Sequence, residues 1–199
     1  AHGHRISYQY DAAQRLVGWS DNRGASASYA LDPMGNRTSE EIRNAQGHQV
    51  WQLARSINSL NRVESTTQAG QTTQYAYDNN GDLVRITNGL GEATYLGLDA
   101  LRRVQTLTNA ANVSAALGYN AQDAITQAKD YKGVTTTYGR DAQGNPTQEA
   151  SPDSGSQTTQ YDPLGLPRQV TDALGRSTTY ARDLLGRPTH ITHPDGTTT

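Results

Sequence analysis

Aspartate and histidine are the side chains through which this sequence could do acid–base or metal chemistry, because the chain has no cysteine. Thiolate nucleophiles, disulfides and cysteine-based zinc sites are thereby excluded. Asp78, Asn80 and Asp82 have the spacing that opens a calcium-binding EF-hand loop. Such a loop needs glycine at its sixth position and glutamate at its twelfth, where Leu83 and Gly89 stand. These residues therefore predict a turn rather than a calcium site.

Histidine offers one further candidate metal site, because His190 and His193 are close in sequence. A protein zinc site needs at least three ligands, and no third one is evident here. No glycine-rich phosphate loop and no Ser-His-Asp arrangement is present either. The sequence therefore predicts no catalytic, cofactor-binding or metal-binding residue, and a protein that is not an enzyme.

The spacing of the acidic residues carries the main signal. Equivalent positions are separated by 21, 26, 20, 21, 21, 21, 21 and 21 residues. A fixed period of this length is the signature of a repeat protein. The longer interval reflects an insertion near residues 40–50. We refer to the nine equivalent positions as anchors; they are Asp11, Asp32, Asn58, Asp78, Asp99, Asn120, Asp141, Asp162 and Asp183.

One repeat, around Asp78, shows what each unit predicts. Tyr75 and Tyr77 alternate with the small Ala76, which is typical of a strand with two different faces. Asp78 can accept a hydrogen bond from the backbone two residues on, and Gly81 supplies a positive φ. The frame D-x-x-G thus predicts a type I turn that closes through a G1 bulge. A second strand follows, and then a second tight turn.

The same features recur along the chain, with Asn61, Arg102 and Asp123 in place of the turn glycine in three units. The residues predicted to form the structural repeat motif are Tyr8, Tyr10, Asp11, Tyr29, Asp32, Gly35, Tyr75, Tyr77, Asp78, Gly81, Asp99, Tyr119, Tyr138, Asp141, Gly144, Tyr161, Asp162, Gly165, Tyr180, Asp183 and Gly186.

Nine units of strand, turn, strand and turn predict an all-β protein with about 18 strands in one antiparallel meander. Residues 1–199 are predicted to be a single array of repeats. Only the insertion, over residues 40–53, leaves room for a short helical turn. A propeller would need pairs of units that alternate in character, and a parallel β-helix would use its turns differently, so both are less favoured.

The composition fits this architecture and narrows the partners. Hydrophobic residues are 34% of the chain, and eleven tyrosines must supply much of the buried area. A net charge of −2 gives no general attraction to nucleic acid. No apolar run approaches the length that spans a bilayer.

The Y-x-Y-D-x-x-G pattern at this period resembles the Rhs/YD repeats of bacterial polymorphic toxins, toxin-complex C components and animal teneurins. The resemblance covers the chain from Tyr8 to Thr199, and against that family residues 1–199 are predicted to contain no separate toxin or protease domain. It implies tandem hairpins of about 21 residues in one long antiparallel sheet, curved as an arc of a hollow shell. It further implies an exported or cell-surface parent protein of a Gram-negative bacterium. The partners would be a C-terminal toxin, enclosed as cargo, and neighbouring repeats of the same parent chain.

One segment is also similar to the sequence near the self-cleavage site of that family. It runs from Asp162 through Pro163 and Leu164 to Gly165 and Leu166. Asp162 lies in register, however, 21 residues from both neighbouring anchors. The segment therefore predicts an ordinary repeat turn, in which proline presets the first turn position.

Two functions follow from these observations. The first is a structural wall segment of a shell that sequesters a toxin for bacterial competition or pathogenesis. The alternative is an extracellular module whose rows of tyrosine, threonine and asparagine bind carbohydrate or a cell surface. In either case the edge strands of an open sheet expose unpaired backbone groups, which predicts edge-to-edge self-association of the chain.

Overall fold

The computed structural model describes residues 3–199, which form 18 β-strands joined by tight turns. The chain divides into two units, Ala1–Tyr95 and Leu96–Thr199, and strand β9 crosses the boundary between them. The strands of the first unit are β1 (Ile6–Tyr10), β2 (Leu16–Asp21), β3 (Ser26–Leu31), β4 (Arg37–Arg43), β5 (Gln49–Ile57), β6 (Val63–Gln68), β7 (Gln71–Tyr77), β8 (Leu83–Thr87) and the start of β9 (Ala93–Leu98).

The second unit continues the same alternation of strand and turn. Its strands are β10 (Val104–Thr108), β11 (Ser114–Tyr119), β12 (Ile125–Lys129), β13 (Thr135–Arg140), β14 (Pro146–Ser151), β15 (Gly155–Tyr161), β16 (Pro167–Thr171), β17 (Ser177–Arg182) and β18 (Pro188–Thr192).

Each strand pairs with the next one in the chain, and every pair within a unit is antiparallel. Within each unit the strands therefore form a continuous antiparallel sheet in chain order. The predicted all-β class and antiparallel meander are thereby confirmed, and the propeller and β-helix alternatives are wrong. Whether residues 1–199 act as a single array stays a prediction.

A bulge closes the first turn of most repeats. In β7 and β8, Ala76 lies opposite Arg85, but Tyr77 lies opposite Leu83, so one residue of β8 is left over. Such a bulge lets the three-residue loop close without breaking the ladder on either side. The same shift recurs in seven other hairpins.

The insertion lengthens one hairpin. Strands β4 and β5 have seven and nine residues, and Ile42 lies opposite Trp51 near their outer end. The expected short helical turn is therefore wrong. Alternating apolar residues such as Ile42, Trp51 and Leu53 favour a strand, because they all fall on one side of the sheet.

The sheet has two chemically different faces. We call one the tyrosine face, and in the fourth repeat Tyr75, Tyr77 and Ile86 define it, since Tyr75 lies opposite Ile86. We call the other the hydroxyl face, because the side chain of Thr87 points there. Small side chains such as that of Ala76 lie on the same face. Paired residues share a face, so the division extends from strand to strand.

Little of either face is buried. Among residues 3–199, only Gly18 and Ala27 are buried, and Ala27 is 4% exposed. The core is therefore thinner than the one predicted from burial of the tyrosines. Backbone ladders, turns and side-chain contacts between neighbouring strands must therefore hold the sheet together. The described part of the chain has no helix with the length and apolar character needed to cross a membrane.

Candidate functional site

The first turn of each repeat is built around the side chain of its anchor. Asp78 Oδ1 accepts hydrogen bonds from the backbone N–H of Asn80 and of Asp82, both at 2.9 Å. The backbone N–H of Gly81 donates to the carbonyl of Asp78 at 3.0 Å, and Gly81 has a φ of 92°. One carboxylate oxygen thus satisfies two turn amides that a short loop would otherwise leave to water.

The other eight anchors make the same pair of contacts, and asparagine serves as well as aspartate. Asn58 Oδ1, for example, accepts the N–H groups of Leu60 and Arg62. Glycine is replaced at the fourth turn position in four repeats, and φ stays near +60° at each replacement: Gln14, Asn61, Arg102 and Asp123. Asp162 makes the same contacts, with Leu164 and Leu166. Its geometry is that of the other repeat turns.

The second carboxylate oxygen of an anchor accepts hydrogen bonds from the side chain of the residue four positions later. Asp99 Oδ2 accepts Nε of Arg103 at 2.8 Å, and Arg103 Nη2 lies 2.6 Å from the same oxygen. Arginine pairs in this way with the anchors Asp11 and Asp183, and asparagine does so with Asp32 and Asp141. The same arginine pairing occurs at Asp172, which lies in a second turn. Sequence reasoning missed this partner, although arginine four residues after aspartate recurs visibly.

Arg103 also joins two consecutive repeats. Its Nη1 donates to the carbonyl of Asn120 at 3.4 Å and lies 2.5 Å from Asp123 Oδ1. Its guanidinium carbon lies 4.4 Å from the centre of the Tyr119 ring, within cation–π range. One side chain therefore ties its own turn to the turn and the tyrosine of the next repeat.

The tyrosines that directly precede an anchor form a second inter-repeat contact. Tyr77, Tyr119 and Tyr161 donate their hydroxyl hydrogen to the carbonyls of Val63, Val104 and Pro146, at 2.8 to 2.9 Å. Each acceptor is the first residue of the preceding strand. Arg182 stands where these tyrosines stand in the last repeat, and its Nη2 donates to the carbonyl of Pro167. The contact between repeats is therefore kept when arginine replaces tyrosine.

The remaining predicted tyrosines lie on the same face but make fewer such bonds. Tyr29 lies under the guanidinium of Arg37, at 3.8 Å, and the Tyr75 hydroxyl is 3.3 Å from Thr66 Oγ1. Tyr180 is 5.6 Å from the guanidinium of Arg182. Tyr8 and Tyr10, in strand β1, are 58% and 56% exposed.

The turn contacts lower the pKa of several turn carboxyls. For Asp78 the main cause is the backbone N–H of Asp82, and for Asp99 it is the side chain of Arg103. The pKa values of Asp11, Asp32, Asp141, Asp172 and Asp183 are lowered for the same kinds of reason. Hydrogen bonds to the charged form favour that form. A carboxyl tuned in this direction is a poor general acid at neutral pH.

The second turn of most repeats is built in the same way, although the sequence predicted it only as a tight turn. Asp21, Asp130 and Asp172 each accept two backbone N–H groups through Oδ1. The D-x-x-G frame recurs here too and could have revealed it. Among residues 3–199, no group of three or more acidic or histidine side chains could hold a metal ion.

These features define a class: a protein of tandem β-hairpins in which each repeat binds only its sequence neighbours through turns, tyrosines and arginines. The RHS Repeat family model matches residues 10–49, 58–93, 119–156 and 161–198. Because the matched segments cover more than half of the sequence, the chain belongs to the RHS repeat family. None of the curated proteins matches it.

Solved structures give the same architecture. The Photorhabdus luminescens Tc holotoxin pore matches with a TM-score of 0.62 at 13% identity, over 94% of this chain. TcdB2-TccC3 without its hypervariable C-terminal region matches with a TM-score of 0.60 at 14% identity, again over 94%. The present chain spans only 13% of the length of either. At such low identity these similarities show the fold alone.

Proposed function

We propose that this chain is a structural segment of an Rhs-type shell, whose wall encloses and sequesters a C-terminal toxin. The observation that carries the proposal is the fold match over 94% of the chain to structures of TcdB2-TccC3. The partners would be the toxin cargo and neighbouring repeats of the same parent protein. That parent would be exported by a Gram-negative bacterium for competition or pathogenesis.

The contacts between repeats suit a wall. The hydroxyl of Tyr119 and the guanidinium of Arg103 both join one hairpin to the next, so the sheet extends without a central core. The anchor carboxylates are occupied by turn amides, which supports a structural rather than a catalytic role. In this proposal the predicted motif residues hold the wall together and no residue catalyses a reaction.

The proposal is tested on the full-length protein that carries this sequence. It would be purified, separated under native and denaturing conditions, and its bands identified by mass spectrometry. A distinct C-terminal polypeptide that co-purifies natively and is released only on denaturation would support an enclosing shell. An intact chain that encloses nothing would contradict it and favour a surface-binding module.

Self-association through the sheet edge is a second proposed partner interaction. All five residues of β1 are exposed, including Ile6 at 42%. Sedimentation at rising concentration should reveal oligomers of the 199-residue chain, and proline at Ile6 should reduce them by removing an edge donor. A strictly monomeric chain at high concentration would show that the edge is protected.

A further inference from the structure

The insertion in the second repeat leaves part of one strand without a neighbour. Strand β5 runs from Gln49 to Ile57, but β6 pairs only with its second half, beginning where Ala54 lies opposite Thr67. On that side, no strand within residues 3–199 pairs with the first half of β5. We call this unpaired stretch, Gln49–Leu53, the β5 edge.

The other side of the same hairpin end is covered. Strand β4 is paired with β3 as far as Arg43, which lies opposite Ser26. The turn between β2 and β3 also packs against the loop between β4 and β5, since a Cβ atom added at Gly24 would lie 3.1 Å from Cα of Ala45. Of the two sides of this hairpin end, the one formed by the β5 edge is therefore the side open to a further strand.

The backbone of Gln52 points into the open space. At the closed end of the hairpin, the N–H of Asn44 donates to the carbonyl of His48 at 2.9 Å. Ile42 then lies opposite Trp51, across the bulge. Because hydrogen-bonded and non-hydrogen-bonded pairs alternate along an antiparallel ladder, Gln52 directs its N–H and C=O away from β4. These two groups are the donor and the acceptor that an added strand needs.

A cavity of about 350 Å³ lies between the β5 edge and the turn that joins β6 to β7. Val50 and Trp51 line it on the side of β5, and residues 67–70 line it on the side of the turn. Val50 is 59% exposed and Trp51 is half-buried. The space beside the unpaired backbone therefore also offers apolar surface to a side chain.

The composition of the cavity limits what can occupy it. None of the residues that border it is charged. A charged side chain placed there would lose water without gaining a partner, which is costly. The β5 edge is also short, roughly 17 Å at about 3.4 Å per residue. An occupant that matches it is therefore extended, uncharged and about five residues long.

We propose that the β5 edge binds an extended, uncharged segment of another polypeptide as an additional strand. Its backbone pairs with the N–H and C=O of Gln52, and an apolar side chain packs against Trp51. Addition of a strand to an exposed sheet edge is a recurring mode of peptide recognition. Because the other repeats lack the insertion, the site belongs to this chain and not to the repeat in general. The inference goes beyond the proposed shell role and does not depend on it.

The test is a titration of the 199-residue chain with the peptide acetyl-Thr-Val-Thr-Val-Thr-amide, followed through the amide NMR signals. For a short peptide on one open edge, a Kd on the order of 1 mM is expected. Saturable shifts centred on Val50–Leu53 and on residues 67–70 would support the proposal. Absence of such shifts at about tenfold that concentration would overturn it.

Two variants of Gln52 separate its backbone from its side chain. Gln52→Pro removes the N–H that faces the open space and no bond to β4, so the hairpin should still fold. It should weaken binding about tenfold. Gln52→Ala keeps the N–H and should leave the Kd unchanged. Equal Kd values for the two variants would overturn the pairing with Gln52.

Two further peptides test the chemistry of the segment without altering the protein. In acetyl-Thr-Pro-Thr-Pro-Thr-amide two backbone N–H groups are missing, and in acetyl-Thr-Asp-Thr-Asp-Thr-amide two side chains are charged. Neither should bind measurably. If the proline peptide bound as tightly as the valine peptide, strand pairing would be overturned. Equally tight binding of the aspartate peptide would overturn the charge argument.

A second copy of this chain is the competing occupant of the β5 edge. In that case the amide signals of Val50–Leu53 would broaden as the protein concentration rises, without any peptide. The same signals should stay sharp if the edge is free to accept a different polypeptide. Concentration-dependent broadening confined to these residues would therefore overturn the proposal.

Discussion

At the scale of single residues, Tyr77, Tyr119 and Tyr161 each contribute a hydroxyl hydrogen bond as well as a ring. Tyr119→Phe removes only the bond to the carbonyl of Val104. We expect a loss of about 1 kcal/mol in the free energy of unfolding, the usual net value of one hydrogen bond. Urea denaturation would measure it.

The ring of Tyr119 should contribute separately. Leucine stands at the equivalent position in two repeats, at Leu31 and Leu98, so Tyr119→Leu is sterically compatible with the fold. It would also remove the contact with the Arg103 guanidinium. The leucine variant should therefore be less stable than the phenylalanine variant. Equal stability of the two would mean that the cation–π contact contributes nothing.

Arg62 is an arginine whose usual partner is missing. Most arginines at this position pair with an aspartate four residues earlier, as do Arg15, Arg103, Arg176 and Arg187. The residue four positions before Arg62 is instead Asn58. Nε of Arg62 is buried without a hydrogen-bond partner. Asn58→Asp should supply one and raise the free energy of unfolding by about 0.5 kcal/mol, as measured for partly exposed pairs.

The same change at a position without arginine is the control. Asn120 is an anchor followed four residues later by Ala124, so Asn120→Asp adds a carboxylate with no such partner. Thermal melting of both variants at neutral pH and low salt would compare them. A gain confined to Asn58→Asp would attribute the effect to Arg62, whereas equal gains would attribute it to the turn.

At the scale of the hairpin, the turn depends on backbone conformation. Gly81 has a φ of 92°, a region that costs other L-residues roughly 1–2 kcal/mol. Gly81→Ala should destabilise by about that amount. Gly81→Asn should cost less, because Asn61 occupies the equivalent position with a φ of 58°. Equal losses for both, in urea denaturation, would show that side-chain size rather than φ decides.

The hairpins also show what the sequence can and cannot predict. The Asp78 turn is formed by residues within four positions of one another, so the local sequence predicts it. The bond from Tyr77 to Val63 spans 14 residues and depends on how one hairpin registers against the previous one. Arg182 replaces tyrosine in the equivalent contact of the last repeat, and nothing in the sequence indicates this role.

At the scale of the whole molecule, anchor carboxyls such as those of Asp78 and Asp99 make stability depend on pH. Their folded pKa values lie below the unfolded value of about 3.9. Their contribution is therefore fully present above that value and is lost as pH falls through the lower folded pKa values. The melting temperature should be nearly constant from neutral pH to about pH 5 and then fall on acidification.

Asparagine at an anchor provides the control for this pH dependence. Asn58 and Asn120 already make the turn contacts, so Asp78→Asn should keep the turn while removing one titrating group. Its melting temperature should fall less steeply below pH 5 than that of the wild type. An identical acid dependence would show that Asp78 does not contribute to it.

The near absence of buried side chains has a consequence for how this molecule can change over time. Because Gly18 and Ala27 are the only buried residues among residues 3–199, the exchange of one side chain does not require a set of tightly packed neighbours to rearrange. A unit of about 21 residues could be duplicated or deleted with new contacts only at the junction. Genes of this kind are therefore free to vary in repeat number, and recombination between near-identical units would lengthen or shorten the product in whole steps.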